Sequence, residues 1–365
     1  MTEARAVISD GTGTFAVETI EVHDPGAGEV MVDLKASGVC HTDHDMLSAP
    51  IPLVMGHEGA GVVSAVGEGV TGVAVGDRVV LNWAIPCGTC TNCVAGIRHL
   101  CLNGSPIAGG MKGHADFTRT TRNGTGIYRA FNLGTMSTKT VVRAPAVTKI
   151  STDASFEAAA IVGCGVMTGW GSAVNAARVA PGSSAVVLGC GGVGLNVIQG
   201  ARIAGATSII AVDPNEARRA MAIEFGATEA IDPGDDDPGL LKTAELIKTK
   251  TEGLGAHYAF ECTAVASLGA APLAMIRHGG MAVAVSGIEE EITVDMRLFE
   301  FDKTYINPLY GQCQPERDFD RVFALHKSGQ MKLDELVTRT YKIDDVAAAF
   351  DDLLAGRNAK GVLVF

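Results

Sequence analysis

Ser184-Ala185-Val186-Val187-Leu188-Gly189-Cys190-Gly191-Gly192-Val193-Gly194 is the stretch that decides the fold. An apolar, β-compatible run stops at a glycine-rich turn, and an apolar segment of helical length follows. The next apolar run, Ile209–Val212, ends at Asp213, at the roughly twenty-residue spacing of a strand–turn–helix–strand unit that holds a dinucleotide. Gly189, Gly191, Gly192 and Gly194 would let the backbone turn sharply and bring a helix N-terminus, with Val193 in its first turn, against a pyrophosphate. A carboxylate at Asp213 would accept hydrogen bonds from the adenosine ribose and repel a 2′-phosphate, which favours NAD over NADP.

Outward from this unit the same texture continues. Apolar strands at Ser184–Leu188, Ser208–Val212, His257–Glu261 and Met281–Val285 lie one β-α unit apart, so the region after Ser155 reads as a doubly wound α/β domain with a parallel sheet. From Arg5 to about Ala144 the pattern differs. Short β-rich runs such as Val30–Leu34 and Gly61–Val66 are separated by Gly, Pro and Asp turns, the signature of an all-β, barrel-like domain. The tail returns to mixed elements: a helix at Arg317–Lys327, a strand at Thr338–Lys342, a helix at Ile343–Leu354 and a last strand at Gly361–Phe365. It is expected to pack back onto the first domain. The expected boundaries are 1–165, 166–309 and 310–365, with a cysteine-rich lobe at about 84–104.

A chain of 365 residues exceeds one ordinary core, which fits two domains. A net charge of −12 without a basic run argues against nucleic acid as a partner. Met1–Asp10 has no basic stretch leading into an apolar one, and glycines and polar residues interrupt the apolar region around 184–205. The expectation is therefore a soluble, cytoplasmic protein without a membrane partner. Nine cysteines, an odd and clustered set, favour metal ligation over disulfides.

Cys87-x2-Cys90-x2-Cys93-x7-Cys101 brings four thiols into one short loop. Four sulfurs close a tetrahedral zinc shell and leave no open position, so this ion would hold the loop in shape. A second, dispersed set consists of Cys40 in Gly38-Val39-Cys40-His41-Thr42-Asp43, His57 in Gly56-His57-Glu58-Gly59, and Cys164 in Gly163-Cys164-Gly165. Two thiolates and one imidazole leave a fourth zinc position for water or substrate.

Assembled in this order, the residues resemble the zinc-containing medium-chain alcohol dehydrogenases over essentially the whole chain. The resemblance implies a GroES-like β-barrel catalytic domain and a Rossmann coenzyme domain, two zinc ions per chain, NAD, a small-molecule alcohol or aldehyde substrate, and a homodimer. It maps Cys40, His57 and Cys164 onto the catalytic zinc and Cys87, Cys90, Cys93 and Cys101 onto the structural one. Thr42 resembles the hydroxyl that takes the substrate proton, Asp43 the carboxylate that orients His57, and Glu58 the residue behind the zinc. His41, Arg218 and Lys360, the last read as lying on a surface turn, fall where the family has cationic partners of the cofactor. Trp83 and Phe131 fall on the substrate channel and imply a hydrophobic or aromatic primary alcohol.

The chain departs from the family pattern in two places. Asp45 stands where a longer proton relay often has histidine, with His44 just before it. Leu102-Asn103-Gly104-Ser105 lacks the arginine that glutathione-dependent formaldehyde dehydrogenases use, which disfavours a thiol-adduct substrate. A nicotinoprotein that never releases its cofactor is an alternative within the family. A zinc-ribbon interaction module is the alternative from another class, disfavoured by the acidic balance and by the complete Cys40, His57 and Cys164 set.

Overall fold

The structure, a computed structural model, describes residues 1–105 and 119–365. The chain divides into two compact units, Met1–Cys164 with Gln314–Phe365, and Gly165–Cys313. The breaks expected at 165/166 and 309/310 thus fall at 164/165 and 313/314.

In the second unit the strands lie in the order Glu229–Ile231, Ser208–Val212, Ser184–Leu188, Ala256–Glu261, Ile276–Ala284 and Thr304–Ile306, every neighbouring pair parallel. The expected strand at Met281–Val285 begins earlier, at Ile276. Parallel strands need crossovers, and these include the helices Gly192–Ile203, Glu216–Phe225 and Leu241–Lys250. A sheet covered on both faces has near-continuous apolar strands, as in Ala185–Leu188 and Ile209–Val212, all of them buried. Val186, Leu188, Ile210, Ile247, Leu273 and Met275 share one core. The chain starts at Ser184–Leu188, builds toward one edge, then returns to add Ala256–Glu261 on the other side. These two strands therefore flank the point where the order reverses, the usual place for a ligand crevice.

The glycine-rich turn sits at that point. Gly189 has φ +83°, a left-handed conformation, and a Cβ at Gly194 would come within 1.9 Å of the Gly189 carbonyl oxygen. The helix can start this close to the strand only because Gly194 has no side chain.

In the first unit, Thr2–Ser9 pairs antiparallel with Phe15–Val22, and Glu29–Val39 lies between Glu58–Val66 and Lys360–Val364. The C-terminal return is thus a sheet neighbour of the strand that leads to Cys40. Val346, Phe350 and Leu353 of the helix Val346–Leu354 pack with Val7, Val39, Leu47 and Met55. This tail thus contributes to the first unit's core. Among the described residues no helix is long and apolar enough to cross a membrane.

Gly194→Ala is expected to cost about 1–3 kcal/mol through overpacking, seen as a lower thermal midpoint at unchanged zinc content. An unaltered midpoint would contradict the close approach.

Candidate active site and metal centres

Cys40 follows the strand Glu29–Val39 and stays extended, at φ −126° and ψ 155°, before the short helix His41–Asp45. Asp43, at the third helical position, accepts the Cys40 N–H through Oδ2 at 3.1 Å, one half of a capping box. Its Oδ1 lies 2.7 Å from His57 Nδ1. A carboxylate only accepts, so Nδ1 carries the proton and the Nε2 lone pair is left for a metal. Both side chains are buried.

The donor atoms of Cys40, His57, Glu58 and Cys164 all lie within 4.8 Å of one another. Cys164 sits in a π-helical turn, Val162–Val166, a distortion frequent at functional sites. A hydrogen bond from the Cys164 thiol, supported by His57, holds Cys40 well below the ordinary thiol range despite burial. The same contact, with burial, pushes Cys164 up. Thr42 Oγ1 lies 3.8 Å from Cys40 Sγ. The Phe131 ring stands 4.8 Å from the His57 ring, and Trp83 meets Phe131 edge-on at 5.7 Å. Phe131 is held at φ 54°, a left-handed conformation that a bulky residue rarely adopts.

Lys360 departs from expectation. It is only 6% exposed, at the start of the strand Lys360–Val364 and not on a surface turn. Its ammonium donates to Glu58 Oε1 at 2.7 Å and to the Val39 carbonyl at 3.2 Å. Those bonds tie Lys360 to the cluster of Cys40, His57, Glu58 and Cys164. Burial works against its charge, but Glu58 and Cys40 outweigh it and raise the Lys360 pKa. Glu58 Oε2 is buried without a hydrogen-bond partner among the described residues. Two sulfurs, an imidazole and a carboxylate whose donor atoms converge within 4.8 Å suit a bound dication, so the residues present fit a zinc ion.

In the cysteine-rich lobe, the sulfurs of Cys87, Cys90, Cys93 and Cys101 also lie within 4.8 Å of one another. Cys87 Sγ accepts the N–H groups of Thr89 at 3.4 Å and Cys90 at 3.3 Å, and Cys101 Sγ those of Cys87 and Gly104, each at 3.2 Å. Such bonds favour thiolates; with the Thr89 hydroxyl they bring Cys87 down to about 5. Asn103 Nδ2 donates to Cys87 Sγ at 3.5 Å, so this part of the 102–105 stretch serves the lobe.

The second unit holds Gly189, Gly191, Gly192, Val193, Gly194, Asp213 and Arg218. Asp213 Oδ2 accepts the Cys190 N–H at 2.8 Å, Oδ1 accepts the Asn215 N–H at 2.8 Å, and Arg218 Nη1 lies 4.0 Å from Oδ2. The carboxylate thereby links the glycine turn to the end of the next strand. A Cβ at Gly191 would meet nothing within 4 Å. The turn is crowded at Gly194 but open at Gly191, and open space beside a helix start fits a pyrophosphate. His41 is exposed on the first unit, next to Cys40 and Thr42 in sequence. His44 packs edge-on against Phe350 at 5.9 Å, while Asp45 is exposed.

Residues 26–152 match the alcohol dehydrogenase GroES-like domain, and residues 192–326 the zinc-binding dehydrogenase domain. The chain belongs to the zinc-containing medium-chain alcohol dehydrogenase family. It is 38% identical to the NDMA-dependent alcohol dehydrogenase of Amycolatopsis methanolica over 98% of each chain. It is 35% identical to alcohol dehydrogenase B of Mycobacterium tuberculosis, over 98% of this chain and 97% of that one. The crystal structure of benzyl alcohol dehydrogenase from Acinetobacter calcoaceticus superposes with a TM-score of 0.90 at 28% identity, over 100% of both chains. As a member of this alcohol dehydrogenase family the chain is an oxidoreductase.

Two separable zinc sites predict distinct phenotypes. Cys90→Ser should lose one zinc and lower the thermal midpoint, whereas Cys40→Ser should abolish turnover at a nearly unchanged midpoint. Metal analysis finding a single tightly held zinc in fully active protein would contradict the two-site assignment.

Proposed function

We propose that this chain is a zinc-dependent, NAD-linked alcohol dehydrogenase that reversibly converts a hydrophobic or aromatic primary alcohol to its aldehyde. The observation that carries the reading is the convergence of Cys40, His57 and Cys164, with Asp43 on the far nitrogen of His57 and the Thr42 hydroxyl beside Cys40. Zinc at this donor set would supply the Lewis acidity that lowers an alcohol's pKa, and NAD would accept the hydride.

The chain's own residues do the remaining work. The Thr42 hydroxyl accepts the proton the alcohol releases and passes it outward. Asp43 keeps His57 in one tautomer and one orientation. Phe131 and Trp83 exclude water and offer apolar surface to the alcohol's carbon frame. Lys360 balances the negative charge of Glu58 and Cys40 in the interior. The likeness to a benzyl alcohol dehydrogenase supports an aromatic substrate. By the family resemblance the enzyme would be a homodimer, and its clustered thiols suit the reducing cytoplasm.

A second reading, a nicotinoprotein that retains its cofactor and passes electrons to another acceptor, is favoured by the kinship with an NDMA-dependent enzyme. Absorbance in the reduced-nicotinamide band of protein purified without added cofactor separates the two.

Activity across aliphatic, aromatic and terpenoid alcohols tests the substrate class, with the highest kcat/KM expected for aromatic ones. Thr42→Val should lower kcat by about 10²–10⁴ while zinc content and NAD affinity hold, and Thr42→Ser should stay active; near-normal kcat in Thr42→Val would refute the relay. NAD should be preferred over NADP because the Asp213 charge opposes a 2′-phosphate, and a higher kcat/KM for NADP would contradict that role.

A further inference from the structure

At the strand-order reversal, opposite Leu188 in the sheet, stands Glu261. It is fully buried at the end of the strand Ala256–Glu261, and among the described residues its carboxylate accepts hydrogen bonds from the segment that leaves that strand and from Ser286. Oε1 accepts the Thr263 N–H at 2.5 Å, the Thr263 hydroxyl at 2.6 Å and the Ala264 N–H at 3.0 Å. Oε2 accepts the Ser286 hydroxyl, whose oxygen in turn accepts the Ala264 N–H at 3.0 Å. Ala264 has φ +58°, a conformation disfavoured for any residue with a Cβ and kept only where its surroundings impose it. The turn held in this way touches the glycine turn. A Cβ at Gly189 would lie 2.9 Å from both the Cys262 carbonyl oxygen and Thr263 Cγ2.

We propose that Glu261 is a positioning residue for the dinucleotide: its carboxylate clamps the strained Thr263–Ala264 turn as one wall of the crevice whose other wall is the Gly189 turn. The inference rests on the NAD reading above and deepens it. A dinucleotide crossing the carboxyl ends of the strands must pass between these two turns, so the shape of the wall enters its affinity. A carboxylate has enough lone pairs to accept all of these donors. An amide that keeps its oxygen toward Thr263 and Ala264 must turn its NH2 group to Ser286, where it no longer accepts the hydroxyl, and as a neutral acceptor it holds the turn more weakly.

The test is calorimetric binding of NAD to the zinc-loaded enzyme, together with steady-state kinetics. Glu261→Gln should weaken NAD roughly tenfold, the worth of about one lost hydrogen bond to a charged group. KM for NAD should rise in parallel, while kcat at saturating NAD and zinc content stay within about twofold of wild type. Ser286→Ala, a milder change that keeps the carboxylate, should weaken NAD in the same direction. The deciding variant adds Ala264→Gly to Glu261→Gln. Glycine adopts φ +58° without a clamp, so NAD affinity should return to within about twofold of wild type. Unchanged NAD affinity in Glu261→Gln with only a lower thermal midpoint, or a weakened affinity that Ala264→Gly does not restore, would overturn the proposal. Failure of the wild-type enzyme to bind NAD would instead overturn the reading beneath it.

Discussion

A single buried carboxylate, Asp43, joins the first proposed metal ligand to the second. One oxygen fixes the backbone of Cys40 and the other fixes the ring of His57. The carboxylate and the imidazole lie out of water, where removing one partner of an ion pair or charged hydrogen bond costs about 3–5 kcal/mol. Burial, the largest single influence, lowers the His57 pKa, but the charge and hydrogen bond of Asp43 together with Cys40 outweigh it and raise it. The field that favours a proton on the imidazole equally favours a dication at its other nitrogen. Cys164, Thr42, Phe131 and Lys360 gather around a pair already fixed in place.

The cysteine-rich lobe shows the opposite balance. It buries little apolar surface: Val94 is 76% exposed, and Ile97 and Leu102 are also exposed. Its ties to the C-terminal return include a hydrogen bond from Gln314 to the Gly96 carbonyl at 3.0 Å and an Arg98–Glu316 ion pair at 2.9 Å. An exposed pair of that kind contributes about 0–1 kcal/mol. A structural zinc in a small peptide contributes on the order of 10 kcal/mol. A zinc ion held by the four sulfurs would therefore dominate the shape of the lobe, whereas buried hydrogen bonds hold the Cys40 backbone and the His57 ring.

How legible these features are in the sequence follows from how local their causes are. The glycine turn with Asp213 and the Cys87–Cys101 spacing are short-range patterns, and each can be read without knowing the fold. Lys360 is different. It reaches Glu58 across 302 residues of chain through the pairing of Lys360–Val364 with Glu29–Val39, which no local pattern announces. The left-handed backbone of Phe131 is equally silent, since nothing in Ala130-Phe131-Asn132 demands it. The boundary near residue 310 moves because a Cβ at Gly171 would meet the Gly311 carbonyl oxygen at 2.5 Å. That contact carries the segment up to Cys313 into the second unit.

Asp43, Asp213 and Glu261 perform one physical task at three places. Each is buried, and each accepts backbone N–H groups of a segment that carries the chemistry: Cys40, the Cys190 turn, and the Thr263–Ala264 turn. Loops are the mobile parts of a fold, yet a site must hold its groups to within about half an ångström of productive geometry. In a low-dielectric interior a carboxylate with several N–H donors is strong enough to fix a loop and costly to leave half satisfied. A chain rich in glycine can then keep its flexible turns where ligands must approach closely and still present them in one arrangement. The acids that a composition count treats as surface charge are, at these three positions, the clamps that give glycine-rich loops a defined shape.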